Sequence, residues 1–191
     1  MNENQLVTAL KHQVPAALQE LVDTYGDRLL RSAFSLCGDE AEAEDIVQDT
    51  FLEAIRSIHR FQGRSTIHTW LHAIMLNLVR RHHRGRKRMV YNDALMDREV
   101  SPSEEGPGRS DAEMAAAALA EALRRLSEAH REVIVLHYYE EMKIHEIASQ
   151  LGLSKGTVKS RLHYAIGDLQ KLLPGELNLF GVGDTEEMQK Q

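Results

Sequence analysis

The sequence predicts an all-α protein built as two small helical domains joined by a flexible linker. Apolar residues recur at helical spacing through most of the chain, and no stretch alternates with the two-residue period of a strand. Aromatic residues are only 5% of the 191 residues, with one Trp and four Phe, which suits two small cores better than a single large one. Between the helical stretches, DREVSPSEEGPGRSD (97–111) holds two Pro, two Gly and several Ser, with too few large apolar groups to order itself by burial. These observations place domains at 14–90 and 113–175, a linker at 91–112, and an acidic tail at 176–191 that is expected to be disordered.

Each element has its own signal. Residues 15–36 carry Leu18, Leu21, Val22, Tyr25, Leu29, Ala33 and Phe34 at helical spacing, with Pro15 suited to a first turn and Gly38 as the breaker. Asp39, with Glu42 three residues on, resembles a capping arrangement for a second helix over about 40–59. That helix is expected to bury Ala43, Val47, Phe51, Ala54 and Ile55 and to show Asp45, Gln48, Asp49 and Leu52 on its other face. FQGRS forms a loop, and Ser65 or Thr66 can cap a third helix through Trp70, Leu71, Ile74 and Leu78. This helix is expected to end in RRHHRGRKR (80–88), with the residues beyond Gly85 forming a flexible tether. After the linker, AEMAAAALAEALRRL has high helix propensity, and Ser127 is a plausible cap for the next helix.

Charge is sorted along the chain. The formal net charge is −6, yet Ser32 to Ile55 contains no Lys or Arg, and Ala54 to Asn92 contains no Asp or Glu. An acidic helix followed by a basic segment implies two partners of opposite charge, the basic one facing a polyanion. The single cysteine, Cys37, makes no internal disulfide and suits a reducing compartment. No signal-peptide core and no bilayer-length apolar run is present, so a soluble intracellular protein with no membrane partner is expected.

Residues 144–162, IHEIASQLGLSKGTVKSRL, form a helix-turn-helix pattern. Ile144, Ile147, Ala148 and Leu151 make one apolar face, and Ala148 is small where two helices cross. Gly152 allows a positive-φ turn, Ser154 caps the second helix, and Val158 and Leu162 anchor it inward. Lys155, Thr157, Lys159, Ser160, Arg161, His163 and Tyr164 are left mostly outward, where Lys and Arg suit phosphates and Ser, Arg and His suit base edges.

Catalytic readings find little support. His68 and His72, four apart on one helix, are a usable metal-ligand pair, but the sequence shows no third ligand and the surroundings are basic. Ser149 stands where a metalloprotease motif beginning at His145-Glu146 needs its second His, and GVGDTE (181–186) lacks the third Gly of a dinucleotide fingerprint. No enzyme activity, no cofactor and no metal are expected.

Three motifs resemble those of bacterial sigma-70-family RNA polymerase sigma factors, in the extracytoplasmic-function (ECF) subfamily. EAEDIVQDTFLEA (42–54) is similar to the helix that docks on the β′ clamp helices, RFQGRSTIHTWLHAIMLN (60–77) to the segment that melts and reads the −10 element, and the helix-turn-helix to the reader of the −35 element. The resemblance covers about residues 14–173, and only the short linker stands where larger sigma factors carry an intermediate domain. It implies a sigma-2-like bundle and a sigma-4-like domain in a cytoplasmic bacterial factor that directs promoter-specific initiation. It implies as partners the RNA polymerase core (the β′ clamp helices and the β subunit), promoter DNA and, commonly, an anti-sigma factor.

By this resemblance Asp45, Gln48, Asp49 and Leu52 bind polymerase. Phe61, Arg64, Ser65, Thr66, Trp70, Asn77, Arg80, Arg81 and Arg84 bind −10 DNA, with Phe61, Arg64, Ser65 and Thr66 walling a pocket for a flipped base and Asn77 beside it. Ser154, Lys155, Thr157, Lys159, Ser160, Arg161, His163 and Tyr164 bind −35 DNA. Lys143 stands where the family often has Ser, which leaves the first helix of the motif poorly capped, and Arg81 stands where an Asp is common. The alternative is a two-domain helix-turn-helix regulator that binds duplex DNA without polymerase, and a partner-sequestering protein would bind no DNA at all.

Overall fold

A computed structural model describes residues 1–92 and 111–173 of the chain. The linker residues 93–110 and the tail from 174 onward, the expected acidic tail included, lie outside the described residues. Among the described residues there are helices and no strands.

The first unit holds four helices. α1 (Glu3–Lys11) is opened by Asn2, whose side chain accepts from the Gln5 N–H while the Gln5 side chain accepts from the Asn2 N–H, a reciprocal cap absent from the sequence-based reading. α2 (Pro15–Cys37) starts on Pro15 and stops at Gly38, whose φ of 77° is left-handed. α3 (Glu40–Ser57) is capped by Asp39, which accepts from the Glu42 N–H at 2.8 Å. A 3₁₀ turn (Ile58–Arg60) leads to the 61–66 loop and then to α4 (Ile67–Asn92). Thr66, rather than Ser65, caps α4, its hydroxyl accepting from the Thr69 N–H at 3.1 Å. α2, α3 and α4 pack around Leu21, Leu29, Ile46, Leu71, Met75 and Leu76, all nearly inaccessible.

The second unit begins with α5 (Asp111–Arg125) and α6 (Glu128–Ile134), the latter capped by Ser127. α6 runs into one π-helical turn (Val135–Tyr139), then α7 (Ile144–Leu151) and α8 (Lys155–Leu172) follow. Leu123, Ile134, Leu136, Ile147 and Leu162 fill its core. The two units touch: α2 packs against α5, α6 and the π turn.

Two expectations change, and the buried face of α2 is narrower than its apolar spacing. Leu18, Val22 and Phe34 are 39%, 37% and 40% exposed. Each follows a buried residue of α2 (Ala17, Leu21, Ala33) by one position, so it sits about 100° around the helix, on the flank of the buried stripe. α4 does not end near Gly85 but continues to Asn92, so the expected tether beyond Gly85 has helical backbone. One interior Gly costs a helix only about 1 kcal/mol, which the flanking residues outweigh. α7 is also better opened than Lys143 suggested: the Glu146 carboxylate accepts from the Lys143 N–H at 2.8 Å, supplying the return half of a capping box.

Two tests follow from these local geometries. Gly152 holds φ 67° between α7 and α8, with open space where a Cβ would project, so Gly152→Ala strains the backbone without a clash. Urea unfolding of this variant should show a loss of about 1 kcal/mol. Burial pushes the Cys37 thiol up to about 11, against the weaker effect of its contact with the Asp39 carbonyl. Thiolate is the reactive form, so alkylation of the native chain near pH 8 should run about a hundredfold slower than that of the urea-unfolded chain.

Candidate functional site

The acidic face of α3 is open. Asp45 and Gln48 are exposed, and Leu52 shows 49% of its surface beside them, while Ile46, Val47, Thr50 and Phe51 turn inward. Asp49 lies at the edge of this face, its carboxylate 3.7 Å from the Arg81 guanidinium. Both side chains of that pair are well exposed, so it contributes well under 1 kcal/mol and leaves Asp49 free to exchange partners.

The 61–66 loop is built from both ends of the first unit. Lys11 donates from Nζ to the Phe61 carbonyl at 2.9 Å, and the Ile67 N–H donates to the Glu3 carboxylate at 3.0 Å. α1 therefore clamps the loop where it leaves α3 and where it enters α4. Arg64 and Ser65 project into solvent next to Gly63, whose φ is 68°. Phe61 does not. It is 6% exposed, and its ring packs beneath the loop, 5.1 Å from Trp70. Thr66 is exposed, but its hydroxyl is engaged in capping α4.

Along α4, Asn77 and Arg84 are exposed and Arg81 is 65% exposed at its side chain. A groove of about 450 Å³ between α3 and α4 brings Asn77, Arg81 and Arg84 together with Asp49, Glu53 and Arg56. Arg56 and Glu53 are members the sequence-based reading omits. The arrangement is a mixed-charge trough beside an amide that can pair with a base edge. Arg80, expected on the same track, turns the other way. Its Nε and one terminal nitrogen donate to the two carboxylate oxygens of Glu132 in α6, each at 2.7 Å. This bidentate geometry satisfies both groups, so Arg80 is committed to the second unit in this arrangement.

In the helix-turn-helix, the Ser154 hydroxyl accepts from the Thr157 N–H at 3.0 Å and also meets the Thr157 hydroxyl. These two hydroxyls are occupied by the cap. The outer face of α8 presents Lys155, Ser160, His163 and Tyr164, with Lys159 and Arg161 half-buried at its margins. Tyr164 is 64% exposed, with the His163 ring edge-on at 5.6 Å. Val158 and Leu162 are wholly buried and set the rotation of the helix.

The seam between the units centres on Glu140, which is 3% exposed. The Ser32 hydroxyl donates to Oε1, and three nitrogens converge on Oε2: His68 Nε2 at 2.7 Å, Arg28 Nε at 2.9 Å and His72 Nε2 at 3.0 Å. Burial pushes the Glu140 carboxyl up, but the bond from His68, the adjoining His72 ring and the Ser32 hydroxyl outweigh it and hold the group well below the usual carboxylate range. Burial pushes His72 down, against the opposing pull of the Glu140 carboxylate. Further bonds cross the seam from Arg28 to the Tyr139 carbonyl and from Arg131 to the Leu36 carbonyl. The Arg124 side chain lies so close to Gly38 that a Cβ there would sit 2.9 Å from it. None of Arg28, Ser32, Glu132 or Glu140 was marked by sequence. The available signal was an acid within or beside an apolar helical run, EVIVLHYYE, since a buried carboxylate requires a partner.

Comparison with known proteins agrees with this two-part layout. Residues 21–89 match the family model Sigma-70 region 2, and residues 116–169 match Sigma-70, region 4. The chain is 35% identical over 160 residues to the ECF RNA polymerase sigma factor SigL of Mycobacterium tuberculosis, covering 83% of this chain and 89% of the relative. It is 31% identical over 170 residues to the ECF RNA polymerase sigma factor SigW of Bacillus subtilis, covering 82% and 89%. Among solved structures, the sigma factor RpoE of Bartonella quintana, in complex with the anti-sigma factor NepR, superposes with a TM-score of 0.70 at 28% identity, covering 84% of this chain and 97% of that one. CnrH, in complex with the cytosolic domain of CnrY, gives 0.65 at 28% identity, covering 89% and 96%. The chain belongs to the ECF subfamily of sigma-70 RNA polymerase sigma factors, the proteins that direct promoter-specific transcription initiation.

Proposed function

We propose that this sigma factor divides its task among three surfaces and rests, when free, in a closed arrangement that keeps them from acting together. The outer face of α3, with Asp45, Gln48 and Leu52 and with Asp49 at its edge, binds the β′ clamp helices of core polymerase, while the second unit meets the β subunit. Arg64, Ser65 and the Asn77 groove read the −10 element, and Arg80, Arg81 and Arg84 add phosphate contacts. Phe61, Trp70 and Thr66 hold the loop in shape. Lys155, Lys159, Ser160, Arg161, His163 and Tyr164 enter the major groove at −35, with Ser154 and Thr157 fixing the start of α8. The observation that best supports this reading is the open Asp45–Gln48–Leu52 face, which a plain DNA-binding regulator has no use for.

The closed arrangement cannot read a whole promoter. Elements centred 10 and 35 positions upstream are about 25 base pairs apart, or roughly 85 Å at about 3.4 Å per pair. A compact chain of this length is only about 40 Å across. The Glu140 and Arg80–Glu132 contacts must therefore break when the factor engages polymerase in the bacterial cytoplasm. The RpoE structure is a complex with the anti-sigma factor NepR and the CnrH structure a complex with the cytosolic domain of CnrY, and we infer that an anti-sigma partner holds this chain in check.

Two measurements test the assignment. Asp45→Ala/Gln48→Ala should weaken binding to core polymerase by tenfold or more in a pull-down or fluorescence titration, with run-off transcription falling in parallel and helix content unchanged. Unimpaired core binding would remove α3 from the interface. Glu132→Gln releases Arg80 in the free chain, so binding of a single-stranded −10 oligonucleotide should gain about one phosphate contact. The slope of log affinity against log salt should then steepen by about 0.7.

A further inference from the structure

We propose that His68, His72 and Glu140 form a site for a divalent transition-metal ion, zinc being the best chemical match, that staples the two units of the factor together. This rests on the closed arrangement described above. His68 and His72 stand one turn apart on α4, the spacing that lets two imidazoles chelate one ion from a helix. Glu140 supplies the third donor, 72 residues beyond His68 and from the other unit. The three ligand atoms all lie within 4.8 Å of one another. Zinc bonds of about 2.0–2.1 Å in tetrahedral geometry place neighbouring ligand atoms about 3.3 Å apart. The present separations of 2.7 and 3.0 Å to Glu140 Oε2 reach that value with a shift of about half an ångström.

A second observation marks the site. The His72 side chain is wholly inaccessible, yet neither of its ring nitrogens has a hydrogen-bond partner. Its Nε2 lies 3.0 Å from Glu140 Oε2 without the alignment of a hydrogen bond. A buried polar atom without a partner is costly, and an ion between these two atoms makes both of them ligands. Two imidazoles and one carboxylate suit zinc, and also nickel or cobalt, better than magnesium or calcium.

Arg28 already supplies positive charge to Glu140 Oε2, at 2.9 Å. Its side chain is 36% exposed and also holds the Tyr139 carbonyl, so it can swing off Oε2 toward solvent. Arg28 is thus the competitor that an entering ion displaces, and it limits the affinity of the site. Ser32 stays on Oε1 and orients the carboxylate. The fourth position is left for water.

The test uses the full chain stripped of metal, titrated with Zn²⁺ against a fluorescent chelator and with Co²⁺ by visible absorption. We expect one ion per chain and the intense visible bands of four-coordinate Co²⁺. His68→Gln and Glu140→Gln should each weaken binding by tenfold or more. Arg28→Gln should tighten it by a similar factor, an effect that adventitious histidine binding would not show. Circular dichroism checks that each variant is folded, and His72 is left intact because it sits in the core. Zn²⁺ binding that is indifferent to Glu140→Gln, or no binding below about 100 µM, overturns the proposal. Small-angle scattering of the metal-free chain separates the two readings. A compact chain that binds no ion refutes the metal site alone, whereas an extended chain refutes the closed arrangement on which it rests.

Discussion

A carboxylate sealed from water must find compensation inside the protein, and that constraint ties this molecule together. Glu140 leaves the end of the π turn and inserts among Arg28 and Ser32 of α2 and His68 and His72 of α4. Desolvating a carboxylate costs several kcal/mol, so the group is stable there only while the other unit supplies donors and charge. Separating the units returns Glu140 to water, which recovers much of the solvation that closure removed. Burial therefore makes the Glu140 contact specific in geometry, and the proposed opening regains part of the lost solvation.

The same constraint reaches the surface proposed to meet nucleic acid. α4 carries the histidines on the side that meets Glu140, and it carries Asn77 and Arg81 on the groove shared with α3. Arg80, between these two sides, is drawn to Glu132. A single helix thus carries both the domain contact and the groove for which promoter contact is proposed, and opening the seam would return one cation to that proposed surface. The loop at 61–66 is insulated from this exchange, because α1 holds it through Lys11 and Glu3 and because Phe61 and Trp70 pack beneath it.

What could be read from sequence was what is local. The α7–α8 turn was legible because a positive-φ Gly, a capping Ser and inward apolar residues occur within a few positions of one another. The acidic face of α3 was legible because helical spacing alone gathers Asp45, Gln48 and Leu52. Burial within α2 was less so: Leu18 and Val22 have the same residue types as their buried neighbours, and only the packing of α3 and α4 decides which side of the stripe is covered. α1 was missed although Asn2 and Gln5 carry a cap signature, because a helix of nine residues is marginal on its own and is held by its contacts. The inward packing of Phe61 on Trp70 is likewise set by tertiary contact, which the loop sequence does not reveal. The seam was not legible. His68 and His72 were visible as a pair, but Glu140 joins them across a sequence separation that no local pattern encodes.

The central claim is that Glu140 and its partners hold a closed state which polymerase opens. The most direct measurement is energy transfer between one dye on the exposed end of α8 and one on the exposed face of α2, followed as core polymerase is added to the full chain. High transfer in the free factor, falling on core binding and already low in Glu140→Ala, is the predicted result. Low transfer in the free wild-type chain, or transfer that core binding leaves unchanged, would contradict it.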